Sequence, residues 1–232
     1  MAGLVRGVFT MIDLQTGSIW NHFDGRSIRG AMDGARMDLI PLQMTTFGDW
    51  KAEYPDAVVL AGDTGFESRY VEFGLGSSVG APRDFADSRL PVNALVVGVE
   101  SEGAFKAYPQ DILTDRGGVV NDVLGDRSIV VFHDEVAGAG LAYSRVIDGA
   151  PSEFERVDSD TEWLARDVAT DSIWNAAGIA VSGPLAGERL DWVPSFVTEW
   201  YGWYDFHPQT EILGGPDDWA EVVAPPRFNI RL

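Results

Sequence analysis

Hydrophobic and polar positions alternate along several short stretches of this chain, the period of a half-buried β-strand. Leu4 to Asp13 alternates loosely and is rich in Val, Phe and Ile. Asp13-Leu-Gln-Thr-Gly17 then reads as a turn, with an Asp to cap backbone amides, and Ser18 to Asn21 starts a return strand. Thr46 with Asp49 three residues on resembles a capping box and predicts a short helix that ends before Pro55. Ala57 to Leu60 reads as a short strand. Ala94 to Glu100 and Ala104 to Tyr108 flank a Ser101-Glu102-Gly103 turn and predict a hairpin. Pro109 opens a short helix through Leu113. Val119 to Val123, Ser128 to His133 and Gly140 to Val146 read as further strands between Gly-bearing turns, and a second short helix is expected from about Thr198 to Phe206.

One pattern occurs twice. Asp13, Thr16, Ser18-Ile19-Trp20-Asn21, Gly25, Gly30, Gly34, Arg36, Asp38, Pro41, Thr45, Trp50, Pro55 and Leu60 recur as Asp167, Thr170, Ser172-Ile173-Trp174-Asn175, Gly178, Gly183, Gly187, Arg189, Asp191, Pro194, Thr198, Trp203, Pro208 and Leu213. A one-residue deletion before Gly178 keeps the two in step, and agreement at Gly, Pro and Trp points to an internal duplication. The chain therefore divides into a partial unit (1–61), a Gly- and Pro-rich connection (62–90), a complete unit (91–213) and a Pro-rich tail (214–232) that Trp219 and Phe228 would pin. The expected fold class is α+β and β-rich, with the complete and partial copies packed as a pseudo-symmetric pair.

Composition narrows the function more than the fold. The 36 acidic and 17 basic residues give a net charge of −19, and no basic run offers a phosphate backbone the counterion release it needs, so nucleic acid is excluded as a partner. The bases are 15 Arg against Lys51 and Lys106 alone, an acidic, Lys-poor balance that fits a high-salt cytoplasm, where screening removes self-repulsion, or a GC-rich genome. Without cysteine there are no disulfides, thiolate metal sites or Cys nucleophiles. No run nears the roughly 18 apolar residues of a spanning helix, and the N-terminal stretch lacks a cleavage-site pattern. The expectation is a soluble, cytoplasmic protein, or an extracytoplasmic one if an N-terminal half precedes Met1.

Four stretches carry a resemblance to a known family. They are Pro91-Val-Asn-Ala-Leu-Val-Val-Gly-Val-Glu100, Lys106-Ala-Tyr-Pro109, Val119-Val-Asn-Asp122 and the Gly-x-x-x-Gly-x-Arg block ending at Arg36 and Arg189. Together they resemble the DUF3179 family, a domain of unknown function met in haloarchaea and in secreted bacterial proteins. The resemblance implies a Tyr-Cys-Pro-x-Cys-Gly-like segment after the strand ending at Val131. Here Asp134 and Ala137 stand at the two cysteine positions, so a thiol-based role of the family does not carry over. The first unit begins in its middle, so its other half would lie in a neighbouring reading frame, or the half-unit would complete itself against the rest of the fold.

Candidate chemistry is sparse. His133-Asp134-Glu135 is the densest set of metal ligands, at a strand end before a flexible Gly138-Ala-Gly140, and with Arg145 it is the candidate ligand-binding or catalytic region. His133 and Asp134 are the candidate metal ligands, with His22 and His207 elsewhere. Trp174 and Asn175 could hold a sugar or another polar ligand beside an indole platform. In the alternative structural reading, Asp and Thr cap a turn and Trp fills the core. Arg36 with Asp38, and Arg189 with Asp191, read as ion pairs bracing a Gly-rich turn. Trp50, Trp200 and Trp203 sit on short predicted helices, the last two three apart on one face, and read as core rather than as carbohydrate-stacking platforms. The glycines fit neither phosphate-binding spacing, and no Gly-x-Ser-x-Gly elbow occurs. The function expected is a binding or scaffold module with a small-molecule or protein partner. The alternative is a metal-dependent or other enzyme centred on His133, Asp134 and Glu135. No cofactor is implied by any motif.

Overall fold

The computed structural model describes residues 3–60, 62–63, 65–66, 85–159 and 162–225. They form a β-rich α+β architecture of several separate sheets with four short helices. Strands β1 (Gly3–Val5), β2 (Val8–Ile12), β3 (Ile19–Asn21) and β4 (Ser27–Arg29) make an antiparallel meander. Helix α1 (Phe47–Glu53) follows, with the Thr46 hydroxyl accepting the Asp49 N–H as the capping pattern predicts. Most of the predicted connection lies outside the described residues.

The centre of the molecule comes next. Strands β5 (Leu95–Ser101) and β6 (Ala104–Pro109) form the predicted hairpin, closed by Glu102 and Gly103, both at positive φ. Pro109 precedes α2 (Gln110–Asp115), and β7 (Val119–Leu124), β8 (Arg127–Asp134) and β9 (Ala139–Ser144) form a second antiparallel set. After a ribbon of β10 (Val146–Ile147) and β11 (Ala150–Pro151) comes a second meander: β12 (Phe154–Val157), β13 (Leu164–Asp167), β14 (Ile173–Asn175) and β15 (Ala180–Ser182). Then β16 (Trp192–Val193) pairs with β9, and β17 (Ser195–Glu199) pairs with β5, so the chain passes between sheets at Pro194. Helix α3 (Trp200–Phe206) follows. β18 (Glu211–Ile212) joins β6 in parallel, and α4 (Pro216–Ala220) closes the described chain with the Trp219 indole N–H on the Leu213 carbonyl.

The two central sheets, β17-β5-β6-β18 and β16-β9-β8-β7, face one another across a core that includes Val97, Val99, Ile129, Val131 and Ala142. They approach closely at Gly140, where a Cβ would stand 2.1 Å from Val97. Alternation sends Val130, Phe132, Leu141 and Tyr143 to the other side of the second sheet, where they form a second core with Phe154, Trp163, Ala165 and Trp174 of the second meander. Asn121 fastens that meander by bonding both the N–H and the carbonyl of Phe154. On the far side of the first sheet, Trp203 of α3 lies on Gly98, and Val8 and Phe23 of the first meander join the same core. The Phe23 ring meets Phe196 edge-on and stacks on Phe206, each at 4.9 Å.

Three expectations are corrected. Ala57 to Leu60 forms no strand: a strand needs an edge to pair with, and no described strand pairs with it. The second helix begins at Trp200, since Thr198 and Glu199 are held in β17 by β5. Arg36 does not pair with Asp38: its guanidinium reaches Glu100 in two parallel bonds, 2.7 and 3.0 Å, and donates to the Asp24 carbonyl. That fork ties the first meander to the central sheet.

Candidate functional site

The Asp-x-x-Thr-x-Ser-Ile-Trp block builds the same hydrogen-bond circuit at both places. The Thr170 N–H donates to Asp167 Oδ1 at 2.6 Å, the Thr170 hydroxyl to Oδ2 at 2.8 Å and the Trp174 indole N–H to Oδ2 at 2.9 Å. Thr16 and Trp20 donate to Asp13 in the same manner at 2.6, 2.6 and 2.8 Å. Ser172 accepts the Leu185 N–H as Ser18 accepts that of Met32, both at 3.0 Å. Gly183 and Gly30 pass so close that a Cβ would stand 2.6 and 2.7 Å from the Cα of Ser172 and Ser18. The Thr16 hydroxyl, the Trp20 indole and the Thr16 amide together hold the Asp13 carboxyl well below the usual range. Trp174, 1% exposed, offers no platform, and the Asn175 amide oxygen accepts the N–H groups of Ala177 and Ile179.

His133, next to last in β8, lies in a cleft of about 310 Å³ that Thr114, Asp134, Glu135, Arg156, Asp158 and Trp163 help to line. Its ring is engaged on both sides. Nδ1 lies 2.8 Å from the Ala139 carbonyl and so carries the proton, leaving Nε2 to accept from the Thr114 hydroxyl at 3.1 Å. Burial holds the imidazole below its ordinary pKa despite the Ala139 carbonyl and nearby carboxylates. Asp134 Oδ1 accepts the N–H groups of Val136 and Ala137, and Glu135 lines the cleft. Arg145 lies apart, donating to the carbonyls of Asp122 and Ser152 and to Glu153. Among the described residues, no three His, Asp or Glu side chains are grouped to hold a metal ion.

His207 borders a second cavity, of about 520 Å³, between Arg6, Asp24 and Arg26 of the first meander and Phe105 and Glu211 of the central sheet. Its ring stacks on Phe105 at 4.1 Å and lies 4.3 Å from Trp203. Burial pushes its pKa down to about 4, against the pull of Glu100 and Asp24. The unfolded chain binds this proton from its ordinary pKa of about 6.5 downward, so folding must shed it. Stability is therefore expected to fall as pH drops from about 6.5 to about 4, with a slope near one proton from His207 and a further share of the same sign from His133. Urea midpoints across that window test this: His207→Phe should flatten the curve, and an unchanged slope would refute it.

Two arrangements do not follow from the spacing of the sequence motifs. Lys106 Nζ lies 2.8 Å from Asp122 Oδ2, which also accepts the Tyr108 hydroxyl at 3.0 Å, an ion pair at the margin of the gap between the central sheets. The other is an open apolar groove of about 410 Å³ over the first meander, lined by Met11, Trp20, Met32 and Met37. Trp50 on α1 is 46% exposed, which corrects its reading as core. Trp200 and Trp203 do lie in the core, with indole N–H groups on Asp87 and Thr210.

Layered, mostly antiparallel sheets, with an apolar face open over the first meander, define a β-rich module. The chain matches the family described as "protein of unknown function (DUF3179)" over residues 1–210, and it belongs to that family. No curated protein and no solved structure matches it. Its lack of cysteine agrees with the substitution of both family cysteine positions. No described helix is long and apolar enough to cross a membrane.

Proposed function

We propose that this protein is a non-catalytic binding or scaffold module whose partner is a polypeptide. One observation carries the reading. The His133, Asp134 and Arg145 side chains are engaged in internal hydrogen bonds, while the apolar groove over Trp20 lies open. Contiguous exposed apolar surface of this kind marks interaction sites. The acidic, Lys-poor composition supports a high-salt setting for that interaction. In this reading, residues 1–61 are a partial copy of the unit that 91–213 completes, 62–90 connect them, and 214–232 form a tail.

A second reading places a ligand or metal in the His133 cleft. It is favoured by the Trp163 indole N–H, a buried donor that finds no acceptor among the described residues. Elemental analysis of protein purified without chelator separates the two. The binding-module reading expects no stoichiometric metal and a thermal midpoint unmoved by chelator. One metal per chain, lost in His133→Ala, would overturn it.

A further inference from the structure

The two meanders are built alike and covered differently. Positions in the first correspond to positions 154 residues later up to Asn21, and 153 later from Gly25 onward. Each has a bulge at the same place, between Ile19 and Trp20 and between Ile173 and Trp174. Each also has the same isolated bridge, Arg26 to Arg36 and Ile179 to Arg189. Met11, Trp20, Met32 and Met37 thereby stand where Ala165, Trp174, Leu185 and Leu190 stand in the second. There, these residues close a core against Val130, Phe132, Leu141 and Tyr143 of β8 and β9. In the first meander the same face is the open groove, with Met11 41% and Met37 45% exposed.

The chain that follows shows the same deficit three more times. Residues 39–40 and 42–46 correspond to β16 and β17, which pair with β9 and β5, yet they form no strand. Helix α1 corresponds residue for residue to α3, and the two end on nearly identical backbone angles at Tyr54 and His207. Trp203 of α3 is seated on Gly98 of β5, whereas its counterpart Trp50 faces solvent. Residues 58–60 correspond to β18 and Leu213. Leu213 is buried beside β6, while Val58 and Leu60 are 96% and 93% exposed.

A sheet face, two strand-forming stretches, a helix face and the 58–60 segment are thus unpaired and largely exposed together, and of residues 39–46 Gln43 borders a narrow space beside Phe132 and Leu141. In the other copy, β5 to β9 cover all of them. Among the described residues β5 to β9 occur once, and they are already occupied by their own β16, β17, α3 and second meander. A second copy of this chain therefore has no free set to offer. We infer that the first meander, residues 39–46, α1 and residues 58–60 form a docking surface for a partner polypeptide carrying a β5–β9-type pair of hairpins. The partner adds strand edges to residues 39–46, in the manner of β-augmentation. It presents an apolar face like that of Val130, Phe132, Leu141 and Tyr143 to the groove, and a small residue like Gly98 to Trp50.

The inference rests on the polypeptide-binding reading above and narrows its partner. Its test extends the whole chain by a copy of residues 85–152 joined ahead of Met1. The readout is peroxide oxidation of Met11, Met32 and Met37 by mass spectrometry, with hydrogen exchange over 42–46. In the unextended protein the three methionines should oxidise freely in a monomer. In the extended protein they should oxidise about tenfold more slowly or better, because thioether oxidation follows exposure, and the amides of 42–46 should gain protection. Placing Gly98→Leu in the added copy alone should remove the protection over 42–46 by unseating Trp50. Methionines that stay reactive, an added segment that stays disordered, or protection already present in a dimer of the unextended chain would each overturn the inference. A stoichiometric metal at His133 would instead overturn the functional reading and leave methionine protection unaffected, so the two failures can be told apart.

Discussion

Replacing Asp167 by Ala is expected to destabilise the fold by about 3 kcal/mol, because it strands buried donors. The carboxylate is fully buried and accepts the Thr170 N–H, the Thr170 hydroxyl and the Trp174 indole N–H. Removing it leaves an indole N–H, 1% exposed as a residue, shielded from bulk solvent and without its acceptor. Asp13→Ala breaks the same three bonds at the open meander, where Trp20 is half-buried and solvent can answer them, so its cost should be plainly smaller. Asp167→Asn should fall between, since one amide oxygen keeps the indole but the NH2 meets the Thr170 donor. Urea unfolding at constant m-value checks the order. Equal losses for Asp167→Ala and Asp13→Ala would refute the burial argument, and two neutral substitutions would point to a ligand role for the block.

That contrast also marks how far the sequence could be read. Local patterns named the β5–β6 hairpin, strands β7 to β9, the Thr46 cap and the turn chemistry of both Asp blocks, because each is decided within a few residues. Ala57 to Leu60 carries a strand pattern but no strand, since pairing depends on an edge that the pattern does not encode. Trp50 and Trp203 occupy corresponding positions on corresponding helices. Only the presence of Gly98 beneath one of them makes it core. The Arg36 fork to Glu100 spans 64 residues, a distance at which spacing rules are silent.

The candidate site was legible as composition and not as geometry. His133, Asp134 and Glu135 do line one cleft, yet the sequence shows neither the Thr114 hydroxyl nor the Ala139 carbonyl that engage both ring nitrogens. Arg145 and Asn175 lie elsewhere, tied to nearby backbone, and Trp174 donates to the Asp167 carboxylate. Lys106, Tyr108 and Asp122 were visible as motif residues but separated by turns and a helix. The usable signal was the rarity of lysine: a Lys that shares the inward face of a central strand with Tyr108 requires a counter-charge on the facing sheet.

That requirement yields the second large effect. Lys106 stands opposite Val99 on β6 and reaches Asp122 on β7, with the two side chains 14% and 22% exposed. Burial works against the Asp122 charge, but the Lys106 ammonium, the Val123 amide and the Tyr108 hydroxyl together hold its pKa below the ordinary value. Lys106→Met removes the cation and leaves the carboxylate with neutral donors. The expected loss is about 2 kcal/mol, less than for a fully buried pair because solvent screens the open side. Restoring neutrality with Asp122→Leu in the same chain should recover much of it, giving a coupling of about 1 kcal/mol or more in a double-mutant cycle. The pH sign follows from the lowered Asp122 pKa: its contribution is present above the ordinary carboxylate pKa and disappears as pH falls through the folded value. Lys106→Met should therefore destabilise most near neutrality and progressively less in acid. A cycle without coupling, or a loss that persists unchanged in acid, would show that Lys106 acts through something other than this pair.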